Sequence, residues 1–137
     1  GQDFAQSREW SEARELDWYL LDNPKHKAVS DFMRELLHIY QKYPAMYELD
    51  ASWDGFEWIN ANDNYRSIFS FMAYDDYRVG VPEKRKMKLL LNSEDVKFGG
   101  KDVKRQKTYT PRKKECDGRP YSIAYPLPPY GVAVFVY

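Results

Sequence analysis

The first 21 residues carry most of the side chains that could hold a polar ligand. Trp10 and Trp18 stand there among arginines and carboxylates, and the apolar residues of this segment follow no regular period. Aromatic rings can stack on the faces of sugars, and charged groups can bond sugar hydroxyls. The mixture is typical of a rim around a polar ligand. The alternative is a loop whose tryptophans pack onto the next helix and whose charges are solvated, and the spacing does not decide between the two.

Cysteine and histidine chemistry is not indicated. Cys116 is the only cysteine, and His26 and His38 lie far from it in the sequence. A lone cysteine cannot form an internal disulfide, which fits a reducing compartment and predicts a cytoplasmic location. We interpret both histidines as solvated or half-buried helix residues. The sequence shows no zinc-ligand spacing, no phosphate-loop glycines and no apolar run of membrane length, so no metal, cofactor or membrane partner is expected.

Charge gives no indication of a nucleic-acid partner. The chain has 21 basic and 21 acidic residues and a formal net charge of zero, so it presents no global field to a polyanion. Residues 97–114 form the most basic stretch. We interpret them as a solvated loop whose lysines cover an edge strand. The alternative is a phosphate-binding arm, which nothing else in the sequence supports.

Residues 23–43 form the only long helix that the sequence clearly predicts. Asn23 can cap its first turn, Pro24 suits the first helical position, and Pro44 ends it. Apolar residues recur at helical spacing and predict one broad apolar face. They are Val29, Phe32, Met33, Leu36, Ile39, Tyr40 and Tyr43.

The residues after the helix predict strands and turns. Turn signals such as Asp54-Gly55 and Asp117-Gly118 separate segments rich in β-branched and aromatic residues. The predicted strands are 56–59, 67–72, 78–81, 86–92, 121–125 and 132–137. The first two are expected to form a hairpin around a polar turn at 60–64. Prolines predict a rigid connection at 126–131, and the charge-free final strand is expected to lie centrally or to be buried on both faces. The fold predicted is mainly β, an antiparallel sandwich.

The order of short motifs resembles the C-terminal part of 1,4-α-glucan branching enzymes. The opening Gly1, Asp3, Phe4, Ala5 and Gln6, then Arg8-Glu9-Trp10 and Leu16-Asp17-Trp18, are similar to the last loop of that family's catalytic barrel. Further similar motifs follow in the family's order. They are Tyr43-Pro44-Ala45, Glu48-Leu49-Asp50, Asp54-Gly55-Phe56-Glu57-Trp58-Ile59, Tyr77-Arg78-Val79-Gly80-Val81-Pro82, Leu91-Asn92-Ser93, Phe98-Gly99-Gly100, Asp117-Gly118-Arg119 and Leu127-Pro128-Pro129-Tyr130-Gly131. The resemblance covers nearly the whole chain.

The resemblance implies both a fold and a chemistry. Residues 1–45 would be the last loop and helix of a β/α barrel, and residues 46–137 a sandwich like the C-terminal domain of alpha-amylases. The abrupt start at Gly1 predicts a boundary inside a longer protein. The family resembles retaining glycosidases, with a carboxylate nucleophile and a carboxylic acid/base, and it transfers a glucan segment to a sugar 6-hydroxyl to make α-1,6 branches. Its catalytic carboxylates would lie upstream of Gly1, so we assign no catalytic residue and expect the chain alone to be inactive.

Two departures from the family pattern bear on this interpretation. Asp3 stands where the family more often has glutamate, which is a conservative change. A further apolar strand of the family has no counterpart between Met72 and Ala73. We expect that a segment is missing there from this numbering, because deletion of a central strand would leave buried ladder groups unpaired.

The resemblance also implies a set of substrate-binding residues for an α-glucan such as glycogen or amylose. They are Asp3, Gln6, Arg8, Glu9 and Trp10. Loops at this end of such barrels form the active site, so Trp10 would stack on a glucose ring and Arg8 or Glu9 would bond its hydroxyls. Packing of the loop onto the barrel is an equally good account of Trp10 and the preferred one for Trp18.

Two other roles remain open at this stage. One is a non-catalytic sandwich module that binds glucan through exposed aromatics, and the other is a sandwich that only stabilises the barrel. Trp53, Trp58, Tyr65 and Tyr109 are the candidates for such an aromatic platform. The apolar helix face at Phe32, Met33, Leu36 and Tyr40 predicts self-association of the chain, because exposed apolar area drives association.

Overall fold

A computed structural model describes residues 1–57, 59, 74–101 and 105–137. The chain separates into two compact units. The first comprises Gly1–Glu48 and Ser93–Val103, and the second comprises Leu49–Asn92 and Lys104–Tyr137. The assignment of residues 1–45 to a barrel and of 46–137 to one sandwich domain stays a prediction.

A single long helix dominates the first unit. Helix α1 spans Pro24–Lys42, in agreement with the sequence prediction. Asn23 Oδ1 accepts a hydrogen bond from the backbone N–H of Lys25 at 3.0 Å, so the predicted cap is present. The last turn closes with a bond from Tyr43 N–H to Ile39 O at 3.1 Å, just before Pro44. The expected cap and breaker therefore set both ends of the helix.

Short 3-10 turns surround this helix. They are Gln2–Phe4 and Trp18–Asp22 before it, Pro44–Met46 after it and Val96–Phe98 from the later segment. The segment predicted to be wholly irregular thus contains two helical turns. Phe98 packs edge-on against Phe32 with ring centroids 5.2 Å apart, and Lys97 pairs with Glu35 at 2.5 Å.

The apolar face of α1 is only partly covered within the described residues. Ile39 is buried, the other predicted apolar positions are half-buried, and Tyr40 is exposed. Leu37, which was not predicted to belong to the face, is 55% exposed. Helical spacing therefore identified the face, but it did not determine how much of it is buried.

The second unit contains two antiparallel sheets. Strand β1, Tyr74–Val81, pairs with β4, Tyr121–Leu127. Strand β2, Met87–Asn92, lies between β3, Thr108–Tyr109, and β5, Ala133–Val136. A 3-10 turn, Trp53–Gly55, precedes the strands. The prediction of a mainly β, antiparallel fold is confirmed.

An aromatic cluster forms the core of this unit. Tyr109, Ile123 and Tyr125 are buried, and half-buried side chains from both sheets pack against them. Those side chains are Val79, Met87, Leu89, Leu127, Ala133 and Phe135. The rings of Tyr109, Tyr125 and Phe135 meet with centroids 5.2 to 5.5 Å apart at steep angles, the edge-to-face arrangement that aromatic rings favour.

Two strands are longer than the sequence predicted. β1 begins at Tyr74 instead of Arg78, and β4 runs on to Leu127 through Pro126. The pairing register shifts between Tyr74 and Tyr77, opposite this proline. A proline cannot donate to a ladder, so it fits in a strand at such an irregularity. The rigid connection predicted at 126–131 is therefore partly strand.

One other strand prediction was wrong, and one was wrong in part. Phe56, Glu57 and Ile59 are not in a strand. The final strand β5 pairs only with β2 among the described residues, and it is half-buried instead of buried on both faces, while its central position stays a prediction. Its apolar composition has a physical reason on one face, where Ala133 and Phe135 reach the core. The predicted turn at 60–64, the strand at 67–72, the Met72–Ala73 join, Trp58 and Tyr65 lie outside the described residues.

Candidate functional site

The five predicted substrate-binding residues line a single pocket. This pocket lies in the first unit and has a volume of about 780 Å³. Its lining is Gly1, Gln2, Asp3, Gln6, Arg8, Glu9, Trp10, Leu16 and Met33. Met33 comes from α1 and Leu16 from the stretch before Trp18, so the helix and the opening loop build the pocket together. The structure thus brings together residues that were grouped only by resemblance.

An ion pair fixes the arginine of this pocket. Arg8 grips the Asp17 carboxylate with two nitrogens: Nε donates to Oδ2 at 2.6 Å, and Nη2 donates to Oδ1. Asp17 is 7% exposed, so the guanidinium satisfies an almost fully buried carboxylate. The hydrogen bond to Asp17 raises the pKa of Arg8 above its ordinary value. Arg8 is therefore a charged group of fixed orientation at the edge of the pocket.

Gln6 closes the same network through its side-chain amide. Its Oε1 accepts a hydrogen bond from Asp17 N–H at 2.8 Å, and its Nε2 donates to Arg8 O at 3.2 Å. Both ends of the amide are thus engaged by the loop itself. Of the five predicted residues, Gln6 consequently acts as a support for its neighbours, with little capacity left for a ligand.

Four side chains are left to meet a ligand. Trp10 is 75% exposed although it lines the pocket, and Asp3 and Glu9 are exposed as well. Arg8 uses Nε and Nη2 for the loop, and its Nη1 has no protein acceptor among the described residues. One open indole face, two carboxylates and one guanidinium nitrogen form a set suited to a polyhydroxylated ring.

The two tryptophans of this segment have different surroundings. Trp18 packs on the fully buried Phe4 with ring centroids 5.3 Å apart. Phe4 is tied to α1 because His26 Nδ1 donates to its carbonyl oxygen at 2.8 Å. Trp18 thus packs within the loop, on a residue that is bonded to α1, whereas Trp10 lines the pocket.

Asp17 was the residue that sequence reasoning undervalued. It entered the sequence analysis only within the motif Leu16-Asp17-Trp18, yet it is the buried centre of the network that holds Gln6 and Arg8. Its signal in the sequence is its position between Leu16 and Trp18, which makes it the only carboxylate of the segment with apolar neighbours on both sides. Met33 was assigned to the packing face of the helix and also lines the pocket.

The second unit offers a different aromatic surface. Trp53 is 96% exposed, whereas Tyr109 is 6% exposed and belongs to the core, so Tyr109 is excluded as a platform. The described residues contain no cluster of three or more histidines, cysteines or carboxylates that could hold a metal ion. Within the same residues, no helix is both long and apolar enough to cross a bilayer.

Comparison with known sequences gives relatives along the whole chain. A 1,4-alpha-glucan branching enzyme (GlgB) of Butyrivibrio fibrisolvens is 42% identical over 156 aligned residues, covering 100% of this chain and 24% of that enzyme. The enzymes of the same name from Bacillus caldolyticus and Geobacillus stearothermophilus are 34% and 33% identical, each over 98% of this chain and 23% and 24% of their own length. The chain therefore spans about a quarter of the length of these curated relatives.

A family model matches the strand-rich part of the chain. The model describes the C-terminal all-beta domain of alpha amylase, and it matches residues 69–137. This range includes all five strands of the two antiparallel sheets. Because the match covers half of the chain, the protein belongs to the family of the alpha-amylase C-terminal all-beta domain.

Proposed function

We propose that this chain is the C-terminal part of an enzyme of the 1,4-alpha-glucan branching type, and that its first unit contributes to glucan binding. The observation that carries the proposal is the convergence of Asp3, Arg8, Glu9 and Trp10 on one pocket, with Arg8 fixed by Asp17. The relatives named as branching enzymes supply the reaction class.

The roles of the pocket residues follow from the ring face, the donor nitrogen and the carboxylate oxygens that remain available to a ligand. Trp10 would stack its exposed indole on the apolar face of a glucose ring. Arg8 Nη1 would donate to a hydroxyl, and the carboxylates of Asp3 and Glu9 would accept from hydroxyls. Gln6 and Asp17 would hold this arrangement in place. The pocket then binds and orients a glucan, which is a contribution of position rather than of acid–base chemistry.

Catalysis itself is assigned to residues outside this chain. Transfer to a 6-hydroxyl with retention requires a carboxylate nucleophile and a carboxylic acid/base on either side of the glycosidic bond. By resemblance those groups precede Gly1, so the chain alone should not branch amylose. An iodine-staining assay on amylose should show no change with the chain alone, and loss of staining would contradict this part of the proposal.

Affinity electrophoresis tests glucan binding directly. The chain should be retarded in a gel containing glycogen, because Trp10 and its polar neighbours engage the polymer. Trp10→Ala should remove about 1–3 kcal/mol of binding, the typical cost of losing a buried aromatic contact, and hence most of the retardation. Trp53→Ala is the matched control, since it removes a tryptophan that is even more exposed but lies in the other unit.

A second candidate function is supported by Trp53. An indole that is 96% exposed beside the exposed Phe56 could form a glucan platform in the second unit. In that case Trp53→Ala would abolish retardation and Trp10→Ala would leave it unchanged. If neither variant matters because the wild type migrates freely, the unit would act as a structural support for the rest of the enzyme.

Self-association and location stay predictions. The partly covered face of α1, with Leu37 and Tyr40 exposed, supports association of the isolated chain through apolar contact. Light scattering should give a mass above 16.3 kDa that rises with concentration. A monomer mass at all concentrations would count against this association. A cytoplasmic location is proposed only from the cysteine content.

A further inference from the structure

The second unit contains a polar pocket that the proposed glucan site does not use. Its volume is about 340 Å³, within the range of small-ligand pockets, roughly 300–1,000 Å³. Its lining consists of Asp76, Arg78, Gln106, Tyr109, Thr110, Arg112, Ser122, Ile123 and Ala124. The lining combines strands β1 and β4 with the segment around β3, which lies in the basic stretch singled out in the sequence.

The two arginines of this pocket are organised around one buried serine. Ser122 is fully buried, and its hydroxyl donates to Lys114 O at 2.6 Å while accepting from Arg78 Nη1 at 3.1 Å. The backbone of Arg112 exchanges two hydrogen bonds with Ser122, at 2.9 and 3.1 Å. Arg78 is thereby fixed through its side chain and Arg112 through its backbone, on either side of the same residue.

Neither guanidinium has a carboxylate partner in the described part of the chain. Within the described residues no ion pair includes Arg78 or Arg112, although Asp76 lines the same pocket. Arg78 is half-buried, and a partly desolvated cation without a counter-ion favours an anion nearby. Two cations against one carboxylate leave the pocket with a net positive charge.

We propose that this pocket binds a phosphate group, either as free phosphate or as the monoester of a small sugar. Arginine forks match phosphate oxygens in geometry and charge. Gln106 and Thr110 would donate further hydrogen bonds, while the Asp76 carboxylate suits a sugar hydroxyl and would repel a more extended anion. The inference is independent of the glucan site, because it uses other residues in the other unit.

The test is a titration of the whole chain with inorganic phosphate, glucose 6-phosphate and glucose at constant ionic strength. Binding is followed by the NMR shifts of the backbone amides of Thr110, Arg112 and Ser122. Both phosphate ligands should move these amides in a saturable manner, and glucose should not. Equal affinity of the two ligands identifies free phosphate as sufficient, whereas tighter binding of the ester shows that the sugar hydroxyls add contacts.

A pair of neighbouring substitutions provides the control. Arg112→Gln should weaken binding about tenfold, the effect expected for one lost charge-assisted hydrogen bond. Lys113→Gln removes the same charge from the next residue, which does not line the pocket. Because salt screens exposed charges, this change should alter the affinity for phosphate by less than about twofold. Both side chains are exposed, so neither change should unfold the unit. Arg78→Gln should also weaken binding.

Three results would overturn the proposal. One is the absence of saturable shifts with both phosphate ligands. Another is equal weakening by Arg112→Gln and Lys113→Gln, which would indicate diffuse attraction to the basic stretch. The third is glucose binding as tightly as its phosphate ester, which would make the pocket a sugar site. None of these results depends on glycogen retardation.

Discussion

The two units of this chain are stabilised in different ways. Among the described residues, the buried apolar side chains of the first unit are Phe4 and Ile39, whereas the second unit has six. Those six are Tyr77, Val81, Leu91, Tyr109, Ile123 and Tyr125. The first unit instead relies on polar contacts, chiefly the network of Gln6, Arg8 and Asp17. One unit is held by a packed aromatic core, and the other by a fixed ion pair beside a half-covered helix.

The thinner core of the first unit makes it the more suitable place for a ligand site. A thin core opens locally at a low free-energy cost, and binding loops are commonly drawn from such regions. The N-terminal loop has enough hydrogen bonds to fix Arg8, yet it leaves Trp10 exposed to a ligand. In the β unit, the rings of Tyr109, Tyr125 and Phe135 belong to the core. We therefore expect substitutions in the β unit to lower global stability, and substitutions in the first unit to act locally on the loop.

The largest effect should come from Gly80→Ala in the packed unit. A Cβ at this position would lie 2.2 Å from the carbonyl oxygen of Cys116, which is backbone and cannot move aside easily. Overpacking of this kind should lower the free energy of unfolding by about 3 kcal/mol. Urea unfolding followed by near-ultraviolet circular dichroism measures the change.

Gly118→Asn provides the control, because Gly118 lies in the Cys116–Arg119 turn that Gly80 approaches. Gly118 has a φ of 71° but no atom near its missing Cβ, and asparagine tolerates this conformation. Gly118→Asn should lower the free energy of unfolding by less than about 1 kcal/mol. If Gly80→Ala is tolerated as well as Gly118→Asn, the close approach of β1 to the Cys116 turn is not a constraint, and the contrast between the units weakens.

The next effect should be local and confined to the first unit. Asp17→Asn removes the negative charge to which Arg8 is hydrogen-bonded, so the guanidinium of Arg8 loses its anionic partner. Amides between residues 6 and 18 should exchange with deuterium about tenfold faster or more, while those of β4 stay unchanged. Ser11→Ala is a control in the same loop, because Ser11 makes only an exposed bond to Ala13 N–H. Uniform acceleration in both units would contradict local stabilisation by the pair.

A smaller effect is expected in the β unit at alkaline pH. Burial raises the pKa of Tyr109 above its ordinary value of 10.0, against the opposing influence of Arg105. The unfolded chain then loses the phenolic proton first, so stability falls as the pH rises above 10. Tyr109→Phe should make the fall between pH 9 and 11 less steep. Tyr137→Phe, at an exposed tyrosine, should leave the slope unchanged, and equal slopes in all three proteins would refute the assignment.

The smallest effect is expected on the surface of α1. A hydrogen bond from Lys27 lowers the pKa of Asp31 below its ordinary value of 3.8. This contribution to stability is present above pH 3.8 and is lost as the pH falls through the lower folded value. Because the pair is solvated, Asp31→Asn should barely move the urea midpoint at pH 7. A shift of the urea midpoint as large as the one caused by Asp17→Asn would show that this exposed pair contributes more to stability than a solvated ion pair should.

The sequence predicted local structure better than burial. Asn23, Pro24 and Pro44 set the helix ends because caps and breakers act through the backbone within a few residues. The burial of the final strand was overestimated because apolar composition does not reveal which neighbours cover a strand, and β5 is half-buried. The continuation of β4 through Pro126 depends on a register shift in its partner, which no local pattern encodes.

The candidate site shows the same division. Resemblance grouped Asp3, Gln6, Arg8, Glu9 and Trp10, and the structure places all five at one pocket. The resemblance did not separate the residues that face a ligand from those that support them, because this distinction depends on the fold of the loop around Asp17. The phosphate pocket depends in the same way on a buried serine 44 residues from Arg78.

Hydrogen–deuterium exchange of the chain with and without maltoheptaose is the decisive test of glucan binding by the N-terminal pocket. Peptides covering residues 1–18 should exchange more slowly with the glucan, which would contact Trp10 and Arg8, and exchange in β1, β4 and the residues around Trp53 should not change. Protection confined to the second unit would contradict the assignment of glucan binding to the N-terminal pocket.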